Sequence, residues 1–68
     1  MRMTIGERIR EVRTGKGLTQ TEFAMRLEIC QPNVSNIESG KHRITVEKLL
    51  RIADALGVTA SELLEGVR

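Results

Sequence analysis

Three times in 68 residues the chain sets a threonine three places ahead of a glutamate at the head of an apolar run: Thr4 and Glu7, Thr19 and Glu22, Thr59 and Glu62. In such a pair the threonine oxygen accepts from the backbone N–H three residues on, and the glutamate reaches back to the threonine's own N–H. Two donors orphaned at a helix start are then satisfied together. Each pair predicts a helix start, and the spacing leaves room only for short helices. Thr45 supplies a fourth cap.

The expected architecture is all-α: a compact bundle of five helices over about 5–14, 20–27, 31–39, 46–56 and 60–65, without strands. Ile5, Ile9 and Val12 line one face of the first helix at i, i+4, i+7, and Gly15-Lys16-Gly17 breaks it. Gly40 suits the left-handed position that ends the third helix, and Gly57 stops the fourth. In the fourth helix Val46, Leu49, Leu50, Ile52, Ala53 and Leu56 are expected to face inward. No internal repeat, low-complexity run or linker interrupts the chain, and residues 1–68 are expected to form one domain.

A chain this small builds only a small core. One cysteine excludes an internal disulfide, and no Cys/His cluster has metal-ligand spacing. No apolar run approaches the ~20 residues of a membrane span, and the start Met1-Arg2-Met3-Thr4 lacks a secretory hydrophobic region. A cytoplasmic location is expected, with no membrane partner, no cofactor and no small-molecule ligand. An enzyme is not expected: there is one histidine, no nucleophile–base constellation and no phosphate-cradling glycine loop. Charge is uneven. Residues 1–44 carry eight Lys/Arg against five Glu, whereas residues 45–68 carry three against four acids. A basic half and a slightly acidic tail suit phosphate binding by the former, although an ordinary solvated surface often shows as much.

Between Thr19 and Glu38 the pattern reads as two short helices joined by a tight turn. Phe23, Ala24, Leu27, Val34 and Ile37 fall where crossing helices touch. The second helix carries Gln31, Asn33, Ser35 and Asn36 on its other face. An amide offers a donor and an acceptor side by side, which matches the edge of a base, so this pair has the form of a major-groove reader.

Ile9-Arg10 and Arg13, Gly17-Leu18-Thr19-Gln20, Phe23-Ala24, Leu27, Gln31, Val34-Ser35, Ile37-Glu38, Gly40-Lys41, Leu49, Ile52-Ala53, Ala55-Leu56-Gly57-Val58 and Leu63-Leu64 together resemble the Cro/repressor-type helix-turn-helix proteins. These are phage-repressor-like DNA-binding domains, also called the xenobiotic-response-element type. The resemblance spans nearly the whole chain. It implies a sequence-specific double-stranded DNA-binding transcriptional regulator. Two positions depart from the family pattern. The turn between the second and third helices usually holds a glycine at positive φ, and that place falls on Glu28, at a cost of roughly 1 kcal/mol. The cap of the third helix is Cys30, a poor substitute for Ser or Thr. Pro32 is tolerated in a first turn, where its missing N–H has no intrahelical partner.

The resemblance also implies roles for particular residues. Gln20, opening the second helix, matches a glutamine that donates to a phosphate, aided by the helix N-terminus. Gln31 matches a glutamine that pairs with adenine, and Asn36, about 140° round the helix by its spacing, reaches another part of the groove. Pro32 is placed to press on a thymine methyl, and Asn33 and Ser35 to touch bases or phosphates. Lys41 and Arg43, beside His42, follow the reading helix along the DNA backbone. Arg13 and Glu38 match an ion pair that ties the first helix to the end of the third and aims Arg13 at a phosphate. His42 has no ligand partners, and Cys30 has no second thiol for a redox switch.

The competing reading is a protein-interaction or antitoxin-like module on the same fold. Such a module would carry large apolar residues on the outer face of the third helix, where this chain has amides and a hydroxyl. A single reading helix gives little specificity, so a homodimer on a near-palindromic operator is expected, with half-sites about 10–10.5 base pairs apart or a multiple of that. Leu63 and Leu64, widened by Val58 and Val67, are the expected dimer interface.

Overall fold

The computed structural model describes residues 3–67. Five helices follow in order: α1 (Ile5–Gly15), α2 (Gln20–Leu27), α3 (Gln31–Ser39), α4 (Val46–Leu56) and α5 (Ala60–Leu63). Thr4 and Thr19 form complete capping boxes with Glu7 and Glu22. At Thr19 the backbone N–H donates to Glu22 Oε1 at 2.9 Å, and the Thr19 oxygen accepts from the Glu22 N–H at 3.1 Å. The third box is incomplete. Thr59 Oγ1 accepts from the Glu62 N–H, but its hydroxyl, not its backbone N–H, takes the Glu62 carboxylate.

α2 and α3 pack against one another, α1 crosses α3, and α4 closes the other side of α2. Ile9, Phe23, Ala24, Leu27, Val34, Ile37, Ile52, Ala53, Leu56 and Leu63 form the core. Phe23, the one aromatic side chain, is wholly buried at its centre. Burial of a side chain of that size contributes about 1.5–3 kcal/mol. Two arginines tie α2 to α4 reciprocally. Arg51 donates to the Leu27 carbonyl at the end of α2, and Arg26 donates to the Ala55 carbonyl near the end of α4. Cations suit both places, because helix C-termini carry unpaired carbonyls and partial negative charge.

Three expectations are corrected. Val46 and Leu50 do not face inward: they are 74% and 55% exposed. Leu49, Ile52, Ala53 and Leu56 already fill about 100° of the α4 circumference, and Val46 and Leu50 lie off one side of that stripe. α5 ends at Leu63 and not at residue 65, because the chain turns over residues 64–66 and brings Val67 beside Met3 in an isolated parallel bridge. Leu63 is fully buried in the chain's own core and has no surface to offer a second copy, whereas Leu64 is 43% exposed. Val58 is half-buried against the core, and Val67 is half-buried at the bridge. A smaller difference lies at α1, which continues through Gly15 and is capped at Lys16, with the left-handed turn following at Gly17, where φ is 74°.

Candidate nucleic-acid interface

α3 is held by three inward residues, Val34, Ile37 and Glu38, all buried. Its outward arc carries Pro32, Ser35 and Ser39, all exposed, with Asn33 and Asn36 half-buried on the flanks. Gln31 is exposed at the first position of the helix. Ser39 belongs to this arc and was not singled out from the sequence; its hydroxyl donates back to the Asn36 carbonyl. One helical turn separates Ser39 from Ser35, and that spacing is the signal that finds it.

The turn into α3 is short. Glu28 takes the left-handed conformation, φ 59° and ψ 41°, and its N–H donates to carbonyls of the last turn of α2. The Ile29 N–H then donates to the Ala24 carbonyl at 3.0 Å, which completes a Schellman closure of α2. α3 itself ends in the same way on Gly40 at φ 82°. Cys30 makes no side-chain cap. Pro32 has no N–H to satisfy, and the Asn33 N–H turns back to the Cys30 carbonyl at 3.0 Å, so little is left uncapped.

The orientation of α3 is fixed from behind. Arg13 of α1 and Glu38 form a bidentate pair, Nε to Oε2 at 2.6 Å and Nη2 to Oε1 at 3.2 Å. Arg13 Nη1 also donates to the Leu18 carbonyl at 2.7 Å. The two side chains are only 9% and 4% exposed. A buried pair of this kind is costly to break, since removing one partner strands the other charge. The expectation that Arg13 also reaches a phosphate is set aside, because each of its three guanidinium nitrogens already donates within the fold and the side chain is only 9% exposed. Its place is behind α3.

Glu38 has a further partner. Gln20, half-buried at the start of α2, donates from Nε2 to Glu38 Oε1 at 3.0 Å. Gln31 in turn donates from Nε2 to Gln20 Oε1 at 2.5 Å. The first residues of α2 and α3 are therefore joined side chain to side chain. Lys41, His42 and Arg43 follow α3 directly and are exposed. Among the described residues, no group of three His, Cys, Asp or Glu side chains is placed to hold a metal, and no helix is long and apolar enough to cross a membrane.

Known proteins share both sequence and fold. The chain is 37% identical over 65 residues to the HTH-type transcriptional regulator DdrOP3 of Deinococcus deserti, covering 96% of this chain and 50% of that protein. It thus spans about half that relative's length. Its fold matches the restriction-modification controller protein C.AhdI from Aeromonas hydrophila with a TM-score of 0.81 at 34% identity, over 87% of this chain and 89% of that one. It also matches the P22 c2 repressor in complex with a synthetic operator, with a TM-score of 0.79 at 26% identity, over 94% and 97% of the two chains. The sequence model described as Helix-turn-helix (HTH_3) matches residues 9–63, and the chain belongs to that family.

Proposed function

We propose that this chain is a sequence-specific double-stranded DNA-binding transcriptional regulator that places α3 in the major groove and works as a homodimer. The observation that carries the reading is the surface of α3: an exposed polar arc, opened by the linked amides of Gln20 and Gln31 and followed at once by Lys41 and Arg43. The P22 c2 repressor, solved on a synthetic operator, shares this fold.

In this reading Gln31 and Asn36 contact base edges, Pro32 packs on a thymine methyl, and Asn33 and Ser35 meet bases or the adjoining backbone. Gln20 uses its second amide hydrogen on a phosphate, and Lys41 and Arg43 neutralise phosphates without reading sequence. The dimer contact shifts to the apolar surface left uncovered beside the core. Val46 and Leu50 stand one turn apart on α4, and Leu64 follows α5, which packs on α4.

The test is a titration of a labelled duplex, selected from a random pool, against a scrambled one at several salt concentrations. Affinity for the selected site falls steeply with salt, with a log–log slope of about −0.9 per phosphate neutralised. Gln31→Ala and Asn36→Ala each cost about 1–3 kcal/mol on the best site and relax preference at single base positions. Arg43→Ala weakens all sequences alike. Equal, salt-insensitive affinity for both duplexes ends this reading.

A further inference from the structure

Arg13, Glu38, Gln20 and Gln31 form one hydrogen-bonded line that runs from the buried middle of the fold to the exposed first residue of α3. The direction of every link follows from the chemistry of its inner end. A carboxylate paired with arginine has no hydrogen to donate, so it only accepts. Gln20 must therefore turn its NH2 group toward Glu38. That rotation points Gln20 Oε1 at Gln31, so Gln31 must meet it with an N–H. An unengaged glutamine offers two amide hydrogens and an oxygen. Gln31, with one hydrogen engaged by Gln20, has one hydrogen and its oxygen left for a base.

The remainder is selective. In the major groove adenine presents N7 as an acceptor and its N6 amino group as a donor, which one hydrogen and one oxygen match. Guanine presents two acceptors, N7 and O6. A glutamine with both hydrogens free satisfies guanine as a double donor. Gln31 does not, and its oxygen would face another acceptor.

We infer that Glu38 is a specificity-determining positioning residue. By setting the amide of Gln20 it engages one hydrogen of Gln31, which makes Gln31 read adenine and reject guanine. The inference rests on the proposal that Gln31 meets a base. Glu38 never touches DNA; it acts two side chains away.

The experiment uses duplexes that carry adenine or guanine at the position whose preference Gln31→Ala flattens. The readout is the ratio of the two dissociation constants, with thermal melts recorded for every variant. The unsubstituted chain favours adenine by about tenfold or more, the range of one good bidentate pair. In Glu38→Gln the new amide keeps its oxygen on Arg13 Nε, the shorter of the two bonds, and turns its NH2 to Gln20. Gln20 turns over, Gln31 accepts from it, and both Gln31 hydrogens become free. The ratio falls to about one or inverts toward guanine. Gln20→Met frees the same hydrogens by another route, so the ratio falls there too, while affinity drops for both duplexes through the lost phosphate contact. A purely structural role for Glu38 would weaken both duplexes equally and leave the ratio alone. An unchanged ratio in the folded variants overturns the inference, even where Gln31→Ala still flattens the position and DNA reading stands. If Glu38→Gln does not melt cooperatively, the ratio for Gln20→Met decides by itself. A natural preference for guanine at that position also overturns the inference, and a chain without any sequence preference overturns the DNA-reading proposal beneath it.

Discussion

Replacing Gly6 by alanine sets two physical effects of opposite sign against each other. Gly6 sits in the first turn of α1 and is buried. A Cβ built there lies 2.5 Å from the Glu38 carbonyl oxygen, 2.6 Å from that of Ile37 and 2.9 Å from the Glu38 carbonyl carbon. All three are backbone atoms of the last turn of α3, so no side chain can swing aside. Ordinary separations are about 3.5–4.0 Å, and α1 must retreat by roughly 1 Å. Overpacking of this kind costs about 1–3 kcal/mol. Helix propensity works the other way, since alanine is better than glycine inside a helix by about 0.5–1 kcal/mol. The net expectation is a loss of about 1–2 kcal/mol, from a total that a chain of this length holds at roughly 3–10 kcal/mol. The melting temperature falls by about 5–15 °C. Gly15→Ala in the same helix is the control. Nothing lies within 4 Å of its Cβ position, so only propensity acts, and its melting temperature holds or rises. Thermal melts by circular dichroism on both variants decide the matter. A rise in Gly6→Ala to match Gly15→Ala would refute the close approach of α1 to α3. Because Gly6 backs the very turn that carries Glu38, Gly6→Ala also weakens DNA binding at temperatures where the chain is still folded.

Three further expectations concern the turn, the cap and the surface of α4. Glu28→Gly relieves about 1 kcal/mol of left-handed strain and loosens the unfolded chain by about 0.4–1 kcal/mol, so the melting temperature moves by less than about 5 °C; a larger fall would reveal a contact made by the Glu28 side chain. The Glu22 carboxyl is held below its ordinary value of 4.5, first by the Thr19 backbone N–H and then by the Thr19 side chain. A lowered folded value means that its contribution is complete above 4.5 and is lost as pH falls through the lowered value. Urea midpoints should therefore separate the chain from Glu22→Gln at pH 7 and converge on acidification, and a gap independent of pH would contradict this. Leu50→Glu should leave the melt of the dilute monomer nearly unchanged, since exposed positions tolerate substitution within about 0.5 kcal/mol, yet abolish self-association in sedimentation at micromolar concentrations and with it any concentration dependence of the melt. A chain that stays monomeric both free and on its operator would end the dimer proposal.

Local chemistry was legible in the sequence wherever a residue's partner lies within one turn. The caps at Thr4, Thr19 and Thr45, and the left-handed place of Glu28, all belong to that class. The faces of helices were less legible. Val46 and Leu50 are as apolar as Leu49, and only the narrow span covered by the neighbouring elements leaves them outside. Leu63 and Leu64 are identical in type, and the turn after Leu63 decides which one is buried. The links from Glu38 to Gln20 and from Gln20 to Gln31 join residues 18 and 11 positions apart. They exist because the start of α2 packs alongside α3, within reach of both its first residue and its last turn, which no local pattern records. Gly6 is similarly silent, since its requirement comes from the backbone of α3.

The division of labour on α3 bears on how such a chain changes its target. Its inward residues and the glycine behind them carry the packing, while Pro32, Ser35 and Ser39 face solvent and support nothing beneath them. Those outward positions can be exchanged one at a time without disturbing the scaffold, so the proposed recognition surface is open to stepwise retargeting. Gln31 is the exception, because its amide is wired to Gln20 and through it to Glu38. On the proposed function, a lineage that alters the base read at Gln31 must either accept the polarity imposed from the core or also change Gln20 or Glu38 behind it. Preference there should drift more slowly than at the other base positions of the operator.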